Sequence, residues 1–104
     1  MIALTDKAIE ALAALRWVFD PEVGLNVVDM GLIYELSMEE EAKKILVLMT
    51  LSTPYCPMGQ SIVDSVKNRL ELSCPGYEIA ITVTFEPAWS MEMITAEGQE
   101  FLNR

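Results

Sequence analysis

The arrangement that most limits this chain is a strand, a helix and a second strand in close succession. Residues 45–51 (ILVLMTL) form an unbroken apolar run, the pattern of a strand covered on both faces or nearly so. From Pro57 to about residue 72, Met58, Ile62, Val66 and Leu70 recur at i, i+4, i+8 and i+12 with Val63 beside them. That spacing predicts an amphipathic helix. Ile79, Ile81, Val83 and Phe85 then alternate with Ala80, Thr82, Thr84 and Glu86, the signature of a half-buried strand. A helix joining two strands of one sheet makes a right-handed crossover, and the strands it joins run parallel.

The remaining elements fit around this unit. Thr5 or Asp6 can cap a first helix reaching about residue 17, with Ile9, Leu12 and Leu15 as its apolar stripe and four alanines raising its propensity. Asp20-Pro21 ends it, because a residue before proline avoids the helical region. Residues 20–29 (DPEVGLNVVD) read as a loop with Gly24 as its flexible point. Residues 31–38 (GLIYELSM) alternate in part and form a strand, and the charged residues 39–44 turn it back as an antiparallel hairpin. Cys74-Pro75-Gly76 is a turn. A last helical segment covers residues 90–102, broken near Thr95, where Thr95-x-x-Gly98 restarts it. The order is α-β-β-α-β-α: an α+β two-layer sandwich, with helices on one face of a small mixed sheet. At 104 residues the chain holds one core and is expected to be one domain.

Charge narrows the partners. With 16 acidic and 7 basic residues the net charge is −9, which opposes nucleic-acid backbones and anionic membrane surfaces. No apolar run approaches the roughly 18 residues of a membrane span, and the first residues lack the pattern of a signal peptide. The expected location is the cytoplasm. There is no histidine, so the usual general base of serine and cysteine hydrolases is missing. Cys56 and Cys74 are the only cysteines, too few for a four-ligand thiolate and imidazole site from one chain. An accessory role is expected over an enzymatic one.

Cys56 sits where the apolar strand gives way to the helix, in STPYCPMG. Proline is favoured at the first helical position, which makes Cys56 the N-cap. There the helix dipole and unpaired amides favour thiolate over thiol. A thiolate is the form that binds metal or attacks carbon. A small cysteine buried at a turn fits the same pattern. Cys74, before Pro-Gly, reads as a turn residue. Asp20, Glu22 and Asp29 read by spacing as helix termination and solvation. Trp89, in EPAWS, is either core or an exposed anchor.

Three segments together carry a resemblance. DPEVGLNVVDMGLIYEL (20–36), MTLSTPYCPMG (49–59) and VTFEPAWS (83–90) resemble the MIP18 family, also called DUF59 or PaaD-like, in order and spacing across nearly the whole chain. The resemblance implies the iron–sulfur cluster assembly domain fold. It also implies a role in maturing or delivering iron–sulfur clusters, as in the SufT-like members. Cys56 falls on the family cysteine, Thr50 and Thr53 on the threonine-rich approach to it, and Asp20, Glu22, Asp29 and Trp89 on the other motif positions. Where members often have Trp-Thr-Pro this chain has Trp89-Ser90-Met91, so the start of the last helical segment is expected to differ. Longer PaaD-like members carry a cysteine-rich C-terminal region beyond the stretch matched here.

Two roles follow as expectations. In the first, Cys56 binds iron or a transient iron–sulfur cluster. One thiolate supplies one ligand, so the others come from Glu22, from a second copy in a homodimer, or from assembly proteins and client apoproteins. In the second, the chain is an adaptor that recruits clients, or a multi-component oxygenase, without holding metal, and Trp89 carries recognition.

Overall fold

The computed structural model describes residues 6–21, 23–53 and 59–103. Its elements are α1 (Asp6–Leu15), β1 (Ile33–Glu39), β2 (Lys44–Met49), α2 (Gly59–Ser73), β3 (Glu78–Val83), a 3-10 turn (Met91–Met93) and α3 (Ala96–Leu102). The sheet order is β1-β2-β3. β1 and β2 pair antiparallel, and β2 and β3 pair parallel in continuous register from Lys44↔Glu78 to Met49↔Val83. This is the expected α+β order with its mixed sheet.

The core lies between the sheet and the first two helices. Leu36 of β1, Ile45, Val47 and Met49 of β2, and Ile79 of β3 point inward. Against them lie Ala8, Ala11 and Leu15 of α1 and Ile62, Val66 and Leu70 of α2. The α2 stripe is the one its periodicity predicts; Met58 lies outside the described residues. The α1 stripe holds at Leu15, which is buried, and at Leu12, which packs against the core, and fails at Ile9. The buried face of α1 is Ala8-Ala11-Leu15, while Ile9 is exposed. Small alanines let α1 approach its neighbours closely, and that outweighs turning the larger Ile9 inward. The helix ends at Leu15, and single-turn bonds from Trp17 N–H to the Ala14 carbonyl and from Val18 N–H to the Leu15 carbonyl carry the chain onward. Thr5 lies outside the described residues.

β2 corrects a second expectation. Its burial alternates, with Leu46 exposed and Leu48 half-buried on the far face of the sheet beside Glu35, Ser37, Ala80 and Thr82. The apolar run looked doubly covered, but both helices that pack on the sheet take the same side. β3 is buried only at its start: Val83 and Phe85 are exposed. The hairpin turn places Lys43 at φ 53, in the left-handed region.

Candidate functional site

The motif segments converge at the end of the sheet where β2 finishes. The chain leaves Thr53 and re-enters the described structure at Gly59, which is buried at the start of α2. Cys56, the predicted contact atom, lies between them outside the described residues, as does Glu22. What surrounds that junction is well defined. Thr50 is fully buried, and its N–H donates to the Leu32 carbonyl at 2.8 Å. Thr53 is half-buried. Phe19 and Pro21 share one depression with Ser61, Ile62 and Ser65 of α2. The DPE loop therefore sits against the first turns of the helix that follows Cys56.

The loop itself is built from backbone bonds. Phe19 and Asn26 form an isolated antiparallel bridge. Asp20 N–H donates to the Leu25 carbonyl at 2.9 Å, and Gly24 N–H donates back to the Asp20 carbonyl at 2.7 Å. Gly24 adopts φ 81, which the tight return requires. Asp20 is only 1% exposed. The reading of Asp20 and Asp29 as solvated loop residues is thus corrected for both: each is buried where the chain folds back on itself.

Asp29 is the hub of this end. Its carboxylate accepts from Asn26 Nδ2 at 2.7 Å, Thr95 Oγ1 at 3.0 Å and Arg16 Nη1 at 3.2 Å. Its backbone is held too: Asp29 N–H donates to Asn26 Oδ1 at 2.9 Å, and its carbonyl accepts from Thr95 N–H at 2.9 Å. One residue therefore ties the end of α1, the loop and the start of α3. Thr95 also caps α3, accepting from Gly98 N–H at 3.1 Å, so the predicted restart of the last helix is present. Ser90 opens the 3-10 turn without a side-chain cap bond. Gly98 packs so closely that a Cβ there would meet Ile94, Leu25 and the Asp29 carbonyl.

Trp89 belongs with the core. Its indole N–H donates to the Met30 carbonyl at 2.6 Å, and the half-buried ring packs on the core cluster. Nearby, a cis peptide joins Glu86 and Pro87, and the Tyr34 hydroxyl donates to the Pro87 carbonyl at 2.8 Å. The structure thus brings Asp20, Asp29, Thr50, Thr53 and Trp89 to one end of the sheet. Arg16, Asn26, Tyr34 and Thr95 complete that end; Thr95 was expected only as a helix cap, and the other three were not singled out from the sequence. The Asn26-x-x-Asp29 spacing was the available signal, since an Asn side chain can bond a backbone N–H three residues on.

Ligand chemistry can be tested against these groups. Among the described residues no three carboxylate or thiol groups converge to hold a metal ion. Cys74 is a free thiol, 1% exposed beneath the end of α2, and serves as packing. Asp29 spends its carboxylate on protein donors. Away from this end, Trp17, Phe19 and Leu72 stand exposed around a groove also lined by Ser65, Asn68 and Arg69. No described helix is long and apolar enough to cross a membrane.

A loop-clipped α+β fold with a cysteine between strand and helix defines a class already suggested by the motifs. Residues 9–83 match the family model described as iron–sulfur cluster assembly protein, and the chain belongs to that family, DUF59. It is 39% identical over 85 residues to an Fe-S protein maturation auxiliary factor of Porphyromonas gingivalis, covering 81% of this chain and 79% of that one. It is 33% identical over 78 residues to the Fe-S protein maturation auxiliary factor SufT of Staphylococcus aureus, covering 75% and 88%. Among solved structures, a DUF59 domain from Bacillus anthracis superposes with a TM-score of 0.86 at 32% identity, over 91% of this chain and 90% of that one.

Proposed function

We propose that this chain is an auxiliary factor in the maturation of iron–sulfur proteins, and that Cys56 is its contact with iron or a cluster in transit. One observation carries the reading. The DPE loop is packed against the first turns of α2, and the Asp29 hub fixes the same end of the molecule. The described residues on either side of Glu22 in the loop, and those that lead into and out of the Cys56 segment, are thereby held at one end of the molecule. Relatives named as Fe-S protein maturation auxiliary factors support the maturation role. A single thiolate is an incomplete ligand set, so the cargo is held transiently and shared with an assembly protein or a client apoprotein. Such a factor works in the cytoplasm and acts by handing over, not by catalysing a bond change.

Anaerobic reconstitution with iron and sulfide tests it. The wild-type chain and Cys74→Ala acquire a visible chromophore, and Cys56→Ala does not. The same chromophore in Cys56→Ala, or none in any of the three, rejects ligation by Cys56.

A recruiting role without metal is favoured by a different observation, the exposed Trp17, Phe19 and Leu72. Trp89, expected to carry recognition, is tied to the Met30 carbonyl, so the contact surface in this reading moves to Trp17. Capture of assembly proteins that survives Cys56→Ala and is lost with Trp17→Ala would favour the adaptor.

A further inference from the structure

The two edges of the sheet are built differently. β1 carries a bulge between Ile33 and Glu35 and glutamates at 35 and 39, and Tyr34 ties it to Pro87. Bulges, charges and crossing segments keep an edge strand from pairing with another chain. β3 has no bulge between Ile79 and Val83. It holds no charge and no proline there, and its register with β2 is unbroken.

The direction of its free backbone groups follows from the bonds it makes. Glu78 N–H donates to the Lys43 carbonyl and Thr84 N–H to the Met49 carbonyl, both at 2.8 Å. Residues facing one neighbour alternate along a strand, so Glu78, Ala80, Thr82 and Thr84 bond β2. Ile79, Ile81 and Val83 therefore aim N–H and C=O at the edge with which no other described strand pairs.

Side chains about Ile81 are nearly symmetric. A two-fold axis through Ile81 sets Ile79 opposite Val83, Ala80 opposite Thr82 and Glu78 opposite Thr84. β-branched residues then meet on the helix-covered face and small ones on the other. No carboxylate faces a carboxylate, which matters for a chain of net charge −9. We propose that β3 pairs antiparallel with β3 of a second copy, forming a homodimer with one continuous sheet. Each outward-facing residue exchanges both of its bonds with its opposite.

This geometry has a consequence for the proposed cargo site, and only that consequence rests on the Cys56 reading. β2 runs parallel to β3, so the two β2 ends lie on opposite sides of the axis. Four residues of rise and three inter-strand spacings separate them by about 20 Å. The dimer therefore sets the two strand ends that lead toward Cys56 on opposite sides of its axis.

Sedimentation equilibrium of the reduced full chain tests the pairing. A monomer–dimer equilibrium is expected, tightening from about 20 to about 500 mM NaCl as the repulsion between acidic copies is screened. Val83→Pro removes an outward N–H and leaves the β2 bonds intact, so it weakens dimerisation by about tenfold or more while circular dichroism keeps the wild-type fold. Ala80→Glu with Thr82→Glu sets carboxylates opposite each other and gives a monomer; Ala80→Lys with Thr82→Glu sets opposite charges face to face and restores the dimer. A wild-type monomer up to about 1 mM, or a dimer indifferent to all three variants, overturns the proposal. The Cys56→Ala chain dimerises like wild type, so loss of the chromophore and loss of the dimer remain separate results.

Discussion

The two ends of the sheet hold polar groups in opposite ways. At the β2 exit, Asp29 is buried and its partners lie 3, 13 and 66 residues away in sequence. At the hairpin end, Lys44 and Glu78 form an ion pair at 3.7 Å between exposed side chains, and Lys7 and Lys43 lie over the Tyr77 ring at 5.6 and 5.2 Å. The first end is specified by geometry, because every bond excludes another placement of the segment it holds. The second is a solvated set of charges in which each partner can be exchanged for water. Fold specificity in this chain should therefore be concentrated at the end where the motif residues gather.

The sharpest way to break that contrast is Gly31→Ala. Gly31 adopts φ 76, and a Cβ there would run into the Met93 backbone carbonyl. Left-handed strain and a backbone clash add, for about 3 kcal/mol of lost stability. Gly24→Ala is the matched control, with φ 81 and open space around the new methyl; it should lose only about 1 kcal/mol. Urea unfolding of both measures the difference. Equal losses would mean that the approach of residue 93 to residue 31 costs nothing to disturb.

Asp29→Ala comes close behind. It leaves Asn26, Thr95 and Arg16 without their acceptor and should cost about 2–3 kcal/mol. Arg16→Ala should cost under about 1 kcal/mol, because the Arg16 side chain is 53% exposed and its share of the hub is screened. An Arg16 loss as large as that of Asp29 would show that the ion pair, and not the half-buried neutral donors, holds this end.

Trp89→Phe should be milder, near 1 kcal/mol. The ring volume is largely kept and only the N–H to the Met30 carbonyl is lost. Near-ultraviolet circular dichroism with thermal unfolding would register it. No loss at all would reopen Trp89 as a surface anchor.

How much of this was legible in the sequence depends on the range of each contact. The crossover unit, the α2 stripe and the Thr95 cap rest on local periodicity and spacing, and they lie where expected. The placement of Ile9 and the doubly covered β2 failed for another reason. Which face of an element is buried depends on where its neighbours settle, and the bare pattern of ILVLMTL cannot say that both helices share one side. The Asp29 hub was invisible because Thr95 stands 66 residues away. By spacing Asp29 read only as a solvated loop residue, and the family motif marked it without a physical role.

The smallest effect belongs to Lys44→Ala, and it decides how the others are read. Its bond to Glu78 is long at 3.7 Å, with the Glu78 side chain 75% exposed. Such pairs contribute less than about 0.5 kcal/mol. Removing the lysine also makes an already acidic chain one unit more negative, which adds a small long-range repulsion. Both contributions act through solvent and should fade as salt rises past the point where the screening length shrinks to a few ångströms. The Asp29 loss has another origin, the half-buried donors left without an acceptor, and salt does not restore that acceptor. Unfolding free energies for the two variants, measured across a salt series, should therefore diverge in relative size: Lys44→Ala converges on wild type and Asp29→Ala does not. If Asp29→Ala were rescued by salt to the same degree, its network would be electrostatic in the same sense as the hairpin pair, and the distinction between the two ends would fail.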